Sequence, residues 1–150
     1  MTNQFIGYDP LTESLYRKKI QLNNDSNCFI LFQRQHGQEE FTLLQELQIR
    51  GSDCVVIVYE VNKPYNAKEQ IDRYLSMARH IKGDITVIIA GTKVDLRNES
   101  LDCKSYIDSI IEYCKERNLC YIETSSKDNI NINFLFQFAI YNFWFDSFQD

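Results

Sequence analysis

Two short stretches carry side chains whose types and spacing could do chemistry. In Gly91-Thr92-Lys93-Val94-Asp95, an ammonium and a carboxylate stand two residues apart, directly after the apolar run Ile85-Thr86-Val87-Ile88-Ile89-Ala90. In Glu123-Thr124-Ser125-Ser126-Lys127, a carboxylate, three hydroxyls and an ammonium follow Tyr121-Ile122. An unbroken apolar run of strand length reads as a parallel strand buried on both faces. Charges at its carboxyl end stand where open α/β sheets bind their ligands. Taken alone, Thr-Lys-Val-Asp is equally a solvated strand-to-helix loop, and it is the second strand end that shifts the balance towards a site. Other candidates fall away. His36 and His80 have no Cys or carboxylate at a metal-ligand spacing, and the five cysteines form no Cys-x-x-Cys pair.

The elements that must position these stretches follow from periodicity. Leu15–Leu22 and Cys28–Gln33, separated by the turn cluster Asn23–Asn27, form a hairpin. A short helix follows within Glu39–Arg50 and ends at Gly51. Asp53–Glu60 is nearly all apolar and β-branched, hence a central strand. Asn66 is placed to cap a helix running to Lys82, with Ile71, Tyr74, Leu75 and Ala78 on one face. Leu101–Arg117 is a helix carrying Tyr106, Ile107, Ile110, Ile111 and Cys114, and Leu119–Thr124 is the last strand. Strands alternating with helices predict a mostly parallel sheet covered on both faces. The final helix, Phe134–Phe148, is apolar almost all round. It is either a core helix with a wide buried face or a surface for a partner or membrane.

Composition sets limits. A chain of 150 residues, 44% apolar and 25% charged, is a single globular domain able to bury about 70% of its unfolded surface. A net charge of −5 opposes nucleic-acid binding, and Arg17-Lys18-Lys19 reads as one strand's solvated face. The cysteines read as reduced thiols, the start lacks a signal pattern, and no run is apolar enough for a spanning helix. The end, Ser147-Phe148-Gln149-Asp150, lacks a prenylatable Cys, so neither a transmembrane segment nor a lipid anchor is expected. The expected localisation is cytoplasmic, with membrane association only through a partner or the aromatic helix.

The two strand-end motifs resemble the guanine-reading loops of Ras-family small GTPases. Tyr8-Asp9-Pro10-Leu11-Thr12-Glu13-Ser14-Leu15-Tyr16-Arg17-Lys18 is similar to that family's effector segment, and Arg34-Gln35-His36-Gly37-Gln38-Glu39 to its Asp-x-x-Gly-Gln-Glu segment. The resemblance spans Phe5 to the last helix and implies a P-loop-NTPase-like, Ras-like α/β fold, read as a single truncated G domain. It implies that Asp95 accepts from the ring N–H and exocyclic amine of guanine. Lys93 would lie along base and ribose, and Ser126 would donate its backbone N–H to the guanine oxygen, with Ser125 and Lys127 bracing that loop. It also implies effector contacts through Tyr8, Asp9, Pro10, Thr12, Glu13 and Tyr16. Where the family has Asn, this chain has Thr92, whose hydroxyl cannot span two loops as an amide does, so weaker base affinity is expected.

The phosphate side departs further. A phosphate loop needs Gly-x-x-x-x-Gly-Lys-Ser/Thr, and none of Gly7, Gly37, Gly51, Gly83 or Gly91 fits that pattern. The chain begins near the effector segment, so the family's first strand, phosphate loop and first helix are expected to be missing. That gap leaves three arrangements open: the flanking strands close up, a partner strand fills it, or the sequence is a truncated product. Leu11 stands at the effector Thr position and Arg34 at the metal-facing Asp. A guanidinium 4 Å from a divalent ion is repelled by about 8 kcal/mol at an effective dielectric near 20, so magnesium is not expected. Gln38 matches the residue that orients the attacking water, a role that achieves little without a held phosphoryl group. GTP or GDP is expected to bind weakly, near millimolar, because base contacts alone supply about 4–5 kcal/mol. The leading expectation is therefore a degenerate, signalling Ras-like protein that works through protein effectors or regulators. A GTP-binding switch represented by a truncated chain, and a decoy competing for effectors or exchange factors, are the alternatives.

Overall fold

A computed structural model describes residues 15–21, 27–33, 42–97 and 101–146, and the chain divides into two compact units, Met1–Gln48 and Ile49–Asp150. In the first unit, β1 (Leu15–Gln21) pairs antiparallel with β2 (Asn27–Gln33), the hairpin expected from the turn cluster. The boundary between the units falls within α1 (Thr42–Arg50).

The second unit is a three-stranded parallel sheet in the order β3-β4-β5, built from β3 (Cys54–Glu60), β4 (Thr86–Thr92) and β5 (Cys120–Glu123). The helices α2 (Ala67–Lys82), α3 (Leu101–Glu116) and α4 (Ile132–Asp146) alternate with or follow the strands.

Alternation sorts the sheet's side chains. Ile57, Tyr59, Val61, Val87 and Ile89 face one way and pack with Ile71, Leu75 and Ala78 of α2 and with Ile107, Ile110 and Cys114 of α3. Those helical residues recur at three- and four-residue steps, which puts them on one stripe of each helix. Ile88, Ala90 and Ile122 face the other way and pack against Leu135, with Phe138 and Ala139 beside it on α4. β4 is thus buried on both sides, as its unbroken apolar run requires, and the fold is α/β with a Ras-like parallel sheet flanked by helices.

Several local expectations change. β4 runs two residues beyond Ala90, because the ladder to β3 continues through Tyr59↔Gly91 and Glu60↔Thr92. Asn66 makes no side-chain cap on α2, and its carbonyl accepts from Gln70 N–H instead. Tyr106, assigned to the buried stripe of α3, is 43% exposed and meets Tyr65 edge-on with ring centres 5.4 Å apart. α4 buries Leu135 but leaves Phe134 53% and Tyr141 60% exposed, so among its described residues its apolar girth is not buried all round. Ser147 and Phe148, the last residues assigned to that helix, lie outside the described residues.

Gly91 sits at a close approach between the three strands. A Cβ there would lie 2.8 Å from Val61 Cγ1, 3.0 Å from the Tyr121 hydroxyl and 3.2 Å from the Tyr59 hydroxyl. We predict that Gly91→Ala lowers stability by about 1–3 kcal/mol, the usual cost of overpacking. It should appear as a lower urea midpoint with an unchanged m-value, and an unchanged midpoint would refute the close approach.

Candidate functional site

The carboxyl ends of β4 and β5 bring both chemistry-bearing stretches together. After Thr92 the backbone turns through Lys93, which adopts the left-handed region (φ 61, ψ 40), into a 3-10 turn over Val94–Leu96. That conformation costs a non-glycine residue about 1–2 kcal/mol, so the surroundings must hold it. They do: Leu96 N–H donates to Lys93 O at 2.9 Å, and Val94 N–H donates across to Thr124 O at 3.1 Å. Thr124 N–H in turn donates to Gly91 O at 2.7 Å, extending the β4–β5 register beyond Glu123. The second loop closes through an antiparallel bridge between Ser125 and Ile130, and Asn131 Nδ2 donates to Glu123 O at 2.8 Å.

Within this frame Ser125 is fully buried. Its hydroxyl donates to Asp95 Oδ1 at 2.6 Å and accepts from Asp128 N–H at 3.1 Å. Asp95 is half-buried, and among the described residues Ser125 is its side-chain partner. Thr92 Oγ1 donates to Tyr59 O at 2.8 Å, which ties the loop to β3 rather than to the second loop. Lys93 Nζ donates to Glu60 Oε1 at 2.5 Å, and both side chains are partly exposed. Ser126 and Lys127 are exposed at the start of the second loop. Six residues expected to read a base, Thr92, Lys93, Asp95, Ser125, Ser126 and Lys127, therefore stand on two adjoining loops.

Other expected site residues lie elsewhere. Tyr8, Asp9, Pro10, Leu11, Thr12, Glu13, Arg34 and Gln38 are outside the described residues; Tyr16 lies in β1, and its side chain is not described. Among the described residues no group of three or more His, Cys, Asp or Glu is arranged to hold a metal ion. No described helix is long and apolar enough to cross a membrane.

Beneath the loops runs a polar chain that the motifs did not reveal. Tyr121 OH donates to Glu123 Oε1 at 2.8 Å, and the Tyr59 and Tyr121 hydroxyls are 2.7 Å apart. Because Tyr121 has a single hydroxyl proton and gives it to the carboxylate, Tyr59 is the donor between the two phenols. Arg97 completes the chain with an ion pair to Glu123. Burial pushes the Tyr59 phenol up to about 12. Burial, then the hydrogen bonds to Tyr59 and Glu123, drive Tyr121 well above its ordinary value. Burial likewise pushes the Cys54 and Cys114 thiols up to about 11, which keeps them protonated and unreactive near neutrality. A sequence cue for this chain existed: a glycine inside a central strand, with tyrosines on both flanking strands.

The geometry defines an α/β protein whose candidate site is a pair of strand-end loops joined through the Asp95 carboxylate and the Ser125 hydroxyl. The sequence profile of the Ras family matches residues 1–143. The chain belongs to the Ras family. Relatives include Ras-like protein 1 of Saccharomyces cerevisiae, 31% identical over 127 residues that cover 84% of this chain and 40% of that protein. Ras-related protein Rab-22A of Homo sapiens is 33% identical over 127 residues, covering 82% of this chain and 61% of the relative, and the Mus musculus protein matches to the same extent. The matched region thus spans less than two thirds of these relatives' length.

Two predictions follow from the loop geometry. Ser125→Ala removes a buried donor from Asp95 and an acceptor from Asp128 N–H. It should cost about 1–3 kcal/mol and speed hydrogen exchange at Asp128. Unchanged exchange there would contradict the bracing role. The second concerns alkaline pH. Burial pushes the Cys54 and Cys114 thiols up from an ordinary 9.0 to about 11, and the Tyr59 phenol from 10.0 to about 12. Between those values the unfolded chain binds fewer protons, so their contribution is fully present below about pH 9 and is lost as pH rises to 12. Urea midpoints should fall over that window, and less steeply in Tyr59→Phe.

Proposed function

We propose that this chain is a Ras-family signalling protein that keeps the guanine-reading loops, holds guanine nucleotides weakly and without magnesium, and acts by protein contact. The observation that carries this reading is the Asp95 carboxylate held by the buried Ser125 hydroxyl of the second loop, in 150 residues that contain no Gly-x-x-x-x-Gly-Lys-Ser/Thr. A fixed carboxylate accepts two parallel donors, which guanine offers through its ring N–H and amine and adenine does not. Ser126 N–H would meet the base oxygen, and the stem of Lys93 would cover the base edge. The loss of the family's Asn is offset in part, since Val94 N–H to Thr124 O and Ser125 to Asp95 already tie the two loops.

Magnesium does not fit the donor set, because Leu11 and Arg34 offer no anionic oxygen where the family supplies metal ligands. No hydrolysis step is therefore assigned. Gln38 could orient a water, but nothing among the described residues neutralises the charge that develops on a transferring phosphoryl group. Protein contact is assigned to Tyr8, Asp9, Pro10, Thr12, Glu13 and Tyr16, with Phe134 and Tyr141 of α4 as a second exposed apolar surface. One observation favours a second reading, an ordinary GTP-dependent switch of which this chain is a part: the match spans 40% and 61% of the relatives' lengths.

Titrating the nucleotide-stripped chain with a fluorescent guanine nucleotide tests the proposal. We expect dissociation constants near millimolar, insensitive to magnesium and abolished by Asp95→Ala, with no phosphate release from GTP. Micromolar, magnesium-dependent binding would overturn it.

A further inference from the structure

We propose that Glu60 is a positioning residue for the base site, acting through Lys93 to make recognition depend on the guanine base and not on phosphate charge. This rests on the guanine-binding reading above. Glu60 is the only charged residue of β3 and ends it, in register with Thr92 across the parallel ladder. That register carries its carboxylate to the turn that follows β4, where Lys93 Nζ donates to Glu60 Oε1 at 2.5 Å. The same turn is anchored twice more to this end of β3, by Thr92 Oγ1 to Tyr59 O at 2.8 Å and Val61 N–H to Thr92 O at 2.9 Å.

Two consequences follow. The ammonium is drawn towards β3 and its charge is matched, so the side chain offers a ligand its aliphatic stem more than its charge. A 5′-phosphate then gains little from Lys93, and guanosine and its monophosphate should bind alike. An unpaired ammonium at the same place would attract the phosphate in proportion to its charge and would do so less at high salt. Glu60 thus sets the substrate class of the site: the guanine base or nucleoside, with the phosphates as passengers.

The test compares wild type, Glu60→Gln and the control Glu69→Gln, a change on the exposed side of α2. Guanosine and guanosine monophosphate are titrated without magnesium, following the amide resonances of Asp95 and Ser126, and Lys93 acylation by a water-soluble active ester is measured by peptide mapping. Wild type and the control should bind both ligands within about twofold. Glu60→Gln should favour the monophosphate by about fivefold at low salt, lose that preference at high salt, and acylate faster at Lys93. A wild type that already prefers the monophosphate overturns the proposal. So does a Glu60→Gln protein whose Asp95 amide responds to guanosine but whose ligand ratio and acylation rate are unchanged. If neither ligand moves Asp95 or Ser126 in any of the three proteins, the base-site reading falls, and this proposal falls with it.

Discussion

The second unit depends on one close approach. β4 is buried on both faces, and at its carboxyl end it must pass beneath two tyrosine hydroxyls that meet across it. Only a residue without a side chain leaves that space, and Gly91 supplies it. The gain is a hydrogen-bonded chain from Tyr59 on β3 to Tyr121 and Glu123 on β5, closed by Arg97 in the turn after β4. All three strands are thereby locked at the end from which both loops depart. Neutral phenols are the form that fits, since burial penalises the phenolate and Glu123 adds a negative charge beside it.

Strand-end loops are ordinarily the mobile part of an α/β protein. Here each loop is fastened by groups from the other. Val94 donates to Thr124, Ser125 to Asp95, and Thr124 back to Gly91, so the loops form one hydrogen-bonded body. The left-handed Lys93 is tolerable because the groups on both sides of it are held. Pre-organisation of this kind lowers the ordering cost of any ligand that docks on Asp95.

Much of this arrangement was legible in the sequence. Continuous apolar runs marked β3 and β4, helical spacing marked α2 and α3, and Lys93, Asp95, Ser125 and Ser126 were found at strand ends from residue type and position alone. Misses have local causes. Gly91 read as the end of a strand because glycine punctuates chains, but here it continues the ladder opposite Tyr59. Tyr106 followed the helical period yet points outward, because a phenol can rest edge-on against Tyr65 at the surface. Glu60 went unnoticed because motif reading stays within one stretch of chain, whereas its partner Lys93 lies 33 residues away and is brought to it by strand register. The Tyr59–Tyr121 contact is likewise a product of pairing, which single-chain periodicity does not encode. The effector-like segment was legible only as a resemblance, and its residues 8–14 lie outside the described residues.

The ties that hold the two loops are internal to the chain. Where a bound ligand bridges loops that are otherwise loose, losing the ligand costs stability by mass action. In residues 49–150, Ser125 donates a hydrogen bond to the Asp95 carboxylate, backbone groups join the two turns, and Glu60 occupies Lys93. Thr92, Lys93 and Ser125 are thus each engaged by the chain itself before any ligand arrives. The order of the loops is therefore set by the chain's own hydrogen bonds, and a ligand that docks on Asp95 meets a geometry that is already fixed.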